Sequence, residues 1–142
     1  MSEYNYKLFV VLFSLMFLVS CATTPVSNEE AREVEMRHVI DAGVVTPRQG
    51  FGEVVVKRDQ GLNTSACRSR VFVDGEPVAD IAPGEKVTMY LPVGEVMLAA
   101  KATGICAGGL VEVSARVSDS KTSTFRVSYG TWGEFSIQPT SF

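Results

Sequence analysis

Any nucleophilic catalysis in this chain would have to be built around His38, its single histidine. A Ser-His-Asp arrangement needs an imidazole held beside a serine. His38 falls at the end of a weak helical pattern and is expected as a solvated residue of the last turn. Cys106 sits in Gly104-Ile105-Cys106-Ala107-Gly108-Gly109, a setting that suggests a reactive thiol. A thiolate nucleophile wants an adjacent histidine or another electropositive group, and none stands near it in sequence. The same glycines lack the Lys-Ser or Lys-Thr and the βαβ surroundings of a phosphate loop; in a hairpin loop they serve positive φ angles. Asp74, Glu76, Asp80 and Glu85 are carboxylates of the type glycoside hydrolysis uses, but in turn segments they are expected as ordinary surface. These residues make no catalytic set, cofactor motif or metal set, and the chain is expected not to be an enzyme.

Cys21 poses a different chemistry. It follows an apolar run from Leu8 to Val19, with Lys7 before the run and the small residue Ser20 after it. That is the layout of a secretory signal peptide, and the run is short of the roughly 20 apolar residues a membrane-spanning helix takes. Leu18-Val19-Ser20-Cys21 resembles the lipobox of bacterial lipoproteins. The resemblance implies cleavage between Ser20 and Cys21, a lipid on the Cys21 thiol and acylation of the new amine. The expected partner is therefore a membrane, held through acyl chains on Cys21. Ala22 stands where Asp commonly signals inner-membrane retention in enterobacterial lipoproteins, which implies the outer membrane with the domain facing the periplasm.

Charge agrees with anchoring by acyl chains. The chain carries 13 Lys and Arg against 16 Asp and Glu, a net charge of −3, with no basic block. Nucleic acid is thereby excluded as an expected partner, and headgroup attraction is a poor main anchor. Several acyl chains on one cysteine exceed the marginal affinity of a single chain. An envelope compartment is oxidising, so Cys67 and Cys106 are expected as a disulfide. Closing a loop of about 40 residues contributes roughly 4 kcal/mol in the chain-entropy model. The alternatives are two buried free thiols or a metal pair, the latter short of the four ligands zinc normally takes.

The elements that must position these residues fall into two parts. Residues 21 to 50 read as a lipidated tether rich in turn-forming types, with a flexible reach of roughly 30 Å. Within it, Ser27-Asn28-Glu29-Glu30 fits a capping box, predicting a short helix from Asn28 to His38. From residue 51 to 142 the hydrophobic period changes to two. Strands are predicted over Gly52–Arg58, Arg70–Val73, Pro77–Ile81, Lys86–Leu91, Val96–Lys101, Leu110–Val117, Ser123–Tyr129 and Glu134–Gln138, separated by turn signals such as Asp74-Gly75. The fold class is all-β, an antiparallel sandwich of about seven or eight strands with immunoglobulin-like or prealbumin-like topology. The chain's one Trp, in Tyr129-Gly130-Thr131-Trp132-Gly133, is expected either to cap the core or, with Tyr129, to act as a recognition anchor.

Val71-Phe72-Val73-Asp74-Gly75-Glu76-Pro77-Val78-Ala79, then Ala82-Pro83-Gly84-Glu85, then Tyr90-Leu91-Pro92-Val93-Gly94 resembles the PEGA-type modules of small bacterial envelope lipoproteins. Glu95 and Val96 stand where such modules commonly open a strand with histidine. The resemblance covers about Val71 to Tyr129, and it rests on turn chemistry. It implies a small sandwich acting as an accessory module, without carrying catalytic residues over. The expected role is non-enzymatic: a lipid-anchored sandwich that contacts an unidentified envelope protein. The alternative is a small-ligand or glycan-binding module using Trp132 and Tyr129.

Overall fold

The computed structural model describes residues 23–61, 65–106 and 108–142. Ser20 and Cys21, with the whole apolar run before them, lie outside the described residues. Among the described residues nine strands form: β1 (Arg32–Glu33), β2 (Phe51–Arg58), β3 (Ser69–Val73), β4 (Glu76–Ile81), β5 (Glu85–Pro92), β6 (Gly94–Ala102), β7 (Val111–Val117), β8 (Ser123–Tyr129) and β9 (Phe135–Pro139). One sheet has the order β1-β5-β2-β8-β9 and the other β4-β3-β6-β7. The fold is an all-β sandwich, and eight of its strands coincide within a residue or two with the alternating segments of the sequence.

Alternation accounts for the two layers. Val87, Met89 and Leu91 of β5, Ala115 and Val117 of β7, Phe125 and Val127 of β8, and Ile137 of β9 all point into one buried cluster, as period-two patterning requires. The β3–β4 hairpin turns on Asp74 (φ 49°) and Gly75 (φ 86°), the double positive-φ turn for which Asp-Gly is suited. Gly52 is demanded by close approach: a Cβ there would stand 2.3 Å from the Ser118 carbonyl oxygen. Pairing is mainly antiparallel, but β2 and β8 run parallel, with Arg58 opposite Val127. Parallel neighbours need a long crossover, and β8 is reached only after the chain has built the second sheet.

The flexible tether expected over residues 21–50 is not what residues 23–50 form. Val26, Ala31 and Val34 are buried, and the segment straps the open side of the sandwich. Val34 N donates to Lys86 O at 2.8 Å and Tyr90 N to Val44 O at 2.8 Å, both along β5. Ile40 N donates to Val78 O at 2.7 Å on β4, in the other sheet. Both outer edges on this side would otherwise expose unpaired backbone groups. The Glu33 carboxylate extends the pairing, accepting from Thr88 N at 2.7 Å and Thr88 Oγ at 2.9 Å.

The expected helix from Asn28 to His38 is also corrected. Its capping box does form: Glu30 N donates to Ser27 Oγ at 3.3 Å and Ser27 N donates to Glu30 Oε2 at 3.2 Å. Only one turn follows, closed by Ala31 N to Ser27 O at 3.0 Å. A short helix without a wide apolar stripe is marginal, and pairing with β5 plus burial of Val34 outweighs it. Met36–His38 keeps a single 3-10 turn.

If the strap is structural, Val34→Ala lowers the unfolding free energy by about 2 kcal/mol, the transfer and cavity cost of two methyl groups. Arg37→Ala, on an exposed part of the strap, shifts it by less than about 0.5 kcal/mol. Urea unfolding followed by circular dichroism separates the two, and an unchanged midpoint for Val34→Ala would return the segment to a tether role.

Candidate functional site

Strands β2, β4, β6 and β8 all finish at one end of the sandwich, where β3, β5, β7 and β9 begin. The β2–β3, β4–β5, β6–β7 and β8–β9 connections are made there. This end gathers most of the residues singled out in the sequence, together with charges that strand patterning did not mark as buried.

At its centre lies Arg58, the last residue of β2, fully buried. Its guanidinium donates through Nη1 to the Cys67 carbonyl and, at 3.4 Å, to the Ile81 carbonyl. Its Cζ stands 5.4 Å from the centroid of the Tyr129 ring, a cation–π arrangement. Burial pulls the Arg58 pKa down from its ordinary value. Cys67 is bonded to Cys106, with the two Cα atoms 6.1 Å apart, so the expected disulfide is present and Cys106 is no free thiol. It ties the β2–β3 connection to the β6–β7 loop, through the same Cys67 whose carbonyl accepts from the guanidinium.

Around Arg58 the other charges are paired. The buried Asp59 carboxylate accepts from Arg126 Nη2 at 2.7 Å, and its Oδ1 has no hydrogen-bond partner among the described residues. Glu85, also buried, accepts from Arg68 Nη1 at 2.9 Å and from Ala82 N at 2.8 Å. Lys57 donates to the Phe142 main-chain oxygen and lies 5.5 Å from the centroid of the Phe142 ring. Burial pushes the Asp59 pKa up, with Arg126 opposing, and pushes the Lys57 pKa down, with Asp59 opposing.

The chain reaches this end at Thr23. Thr23 N donates to Tyr129 O at 3.1 Å, and the Thr23 hydroxyl both donates to Tyr129 O at 3.0 Å and accepts from Tyr129 N at 3.1 Å. Thr24 and Gln60 form a two-way bridge of 2.6 and 2.9 Å. Thr23 is thereby seated as a short extra rung at the end of β8.

Tyr129 and Trp132 part company. Tyr129, expected as half of a recognition pair, is 2% exposed; it points inward over Arg58 and packs on Phe135 with ring centroids 4.8 Å apart. Its ring is thereby taken up by the interior. Trp132, three residues later, is 89% exposed, so the capping reading fails for it: Tyr129 and Phe135 fill that space. The turn that carries Trp132 is built: Gly130 N donates to Glu134 O at 2.8 Å, Gly133 N to Gly130 O at 3.1 Å, and Trp132 N to Glu134 Oε2 at 3.1 Å. Beside it lies an open cavity of about 430 Å³ lined by Thr23, Arg126, Tyr129, Trp132 and Glu134 among others. On the neighbouring loop, Ile105 is 97% exposed.

His38 remains on the strap, in the 3-10 turn Met36–His38. Among the described residues no three His, Cys, Asp or Glu side chains converge to hold a metal ion. Arg58, Asp59, Thr23 and Arg126 were missed in the sequence. One signal pointed to them: three valines in succession, Val54 to Val56, mark a strand covered on both faces. Lys57 and Asp59 share a face with Val55, and Arg58 shares one with Val54 and Val56. Comparison with family models, curated proteins and solved structures finds no match.

Two measurements follow from this end. Reducing Cys67–Cys106 lowers the unfolding free energy by up to about 4 kcal/mol, seen as a drop in urea midpoint with a phosphine reductant; no drop would mean the loops hold each other without the bond. The second concerns Asp59. Its native pKa is raised, so the folded state binds the proton more tightly than the unfolded one. Stability from this group is fully present below the ordinary carboxylate value of about 4 and is lost as pH rises through the native value. Wild type should therefore lose ground against Asp59→Asn as pH climbs from 4 towards 7. The opposite slope would show that the Arg126 pair outweighs burial.

Proposed function

We propose that this protein is a lipid-anchored, non-enzymatic component of the bacterial envelope that presents its sandwich to another envelope protein. The observation that carries the reading is Cys21, which ends a lipobox-like tetrapeptide after an apolar run. The Cys67–Cys106 disulfide supports an oxidising compartment. Every buried charge described at the Arg58 end has a partner, which is the pattern of a structural network. Met36 and Ile40 on the strap and Val93 in the β5–β6 turn are exposed apolar side chains available to a protein surface. The second reading, a ligand or glycan site, draws on exposed Trp132 beside its cavity.

The test begins with palmitate labelling and membrane fractionation of the wild-type protein and Cys21→Ala. Label is expected in the wild type and lost in the variant, and the labelled wild type is expected in the membrane fraction; unlabelled wild type would overturn the anchor. A photoreactive residue at Met36, Ile40 or Trp132 then separates the two readings. Crosslinks to one defined protein from the strap positions support a protein partner. Crosslinks from Trp132 alone, to glycan, support the second reading.

A further inference from the structure

Trp132 and Ile105 are the two most exposed large apolar side chains described, at 89% and 97%. Both sit on loops of the end where the chain comes in at Thr23. Only Ala22 lies between Thr23 and Cys21 in sequence. Two residues of chain span at most about 7 Å. The headgroup layer on each side of a bilayer is about 5–8 Å deep, from the difference between total and hydrocarbon thickness.

These lengths set the position of the domain once Cys21 is acylated. The acyl chains start from Cys21, which holds that residue at the boundary between hydrocarbon and headgroups. Thr23 is fixed to the Tyr129 main chain by three hydrogen bonds, so it cannot pay out as a spacer. The end of β8 is therefore brought to the headgroup layer, and side chains that project from this end meet lipid. A tether reaching roughly 30 Å would have lifted the domain clear, but residues 23–50 are committed to the strap.

We propose that this end of the sandwich is a membrane-seated face, with Trp132 and Ile105 entering the bilayer interface beside the acylated cysteine. The inference rests on lipidation of Cys21. Its chemistry suits the surface. Tryptophan, apolar with one N–H donor, concentrates at membrane interfaces. Three of the charges at this end are kept from lipid by burial, Arg58, Asp59 and Glu85, while the exposed Glu134 carboxylate accepts from Trp132 N. Both loops are braced, one by Cys106 and its disulfide and the other by the Gly130–Glu134 turn, which lowers the backbone-ordering cost of contact.

Trp132 is the chain's single tryptophan, so its own fluorescence reports the outcome. The mature lipidated protein is reconstituted into vesicles of phosphatidylethanolamine and phosphatidylglycerol. Flotation with the vesicles, and the mass of the N-terminal peptide, report the anchor separately. With the protein floating, Trp132 emission is expected at shorter wavelength than in unlipidated residues 22–142 without vesicles, quenched by lipids brominated near the headgroup and protected from iodide. Val93→Trp in a Trp132→Phe background puts the reporter at the opposite end and is expected to stay iodide-accessible and unquenched. Floating protein whose Trp132 is open to iodide and blind to brominated lipid overturns the membrane-seated face while leaving the anchor standing. Protein that neither floats nor carries lipid overturns both. A Trp132 response to soluble glycan fragments, with none to lipid, assigns the face to carbohydrate instead.

Discussion

The buried guanidinium of Arg58 is the constraint on which one end of this molecule depends. Taking a cation out of water costs several kcal/mol, and the cost is offset only where its fixed fork of donors finds acceptors. Those acceptors are the carbonyls of Cys67 and Ile81. Cys67 lies in the β2–β3 connection and Ile81 ends β4 of the other sheet, whereas Arg58 itself ends β2. Satisfying one side chain therefore sets the distance between the two layers and the path of the β2–β3 connection. That path brings Cys67 beneath the β6–β7 loop, where Cys106 meets it. Tyr129 closes the arrangement from β8, stacking its ring on the cation and turning its phenol away from solvent.

A second constraint follows from β2 being covered on both faces. Its inward row, Val54, Val56 and Arg58, belongs to the sandwich interior, while Val55, Lys57 and Asp59 need cover from outside. Residues 23–34 and Phe142 supply it, and the strap goes on to protect the edges of β5 and β4. The same segment thus shields buried charge, blunts two edges and joins the domain to Cys21. Its three roles explain why turn-rich residues that look like a linker are ordered against the sandwich.

Much of the fold was legible because period-two alternation is a local consequence of strand geometry. Val87-Thr88-Met89-Tyr90-Leu91 and Thr124-Phe125-Arg126-Val127 declare their faces without reference to any neighbour. The Asp74-Gly75 hairpin is equally local, as only residues tolerant of positive φ suit it. The candidate site was legible in its cysteines and its lone tryptophan, but not in its sorting. Tyr129 and Trp132 lie three residues apart, and nothing local says that one stacks on an arginine from β2 while the other projects into solvent. Lys57-Arg58-Asp59 resembles a solvated strand end because the signal for its burial, the preceding valines, becomes meaningful only once something is known to lie across them.

The sequence by itself determined the strands, their inward faces and the hairpin turn, because each depends on residues within a few positions of one another. Tertiary structure alone decided that β2 and β8 lie parallel, that residues 23–50 form a strap, and that charged side chains end up inside. Those outcomes weigh interactions across the whole chain: a marginal helix against pairing with β5, and the desolvation of Arg58 against carbonyls contributed from two other elements. Such competitions are settled by groups far apart in sequence, so no window along the chain contains the answer.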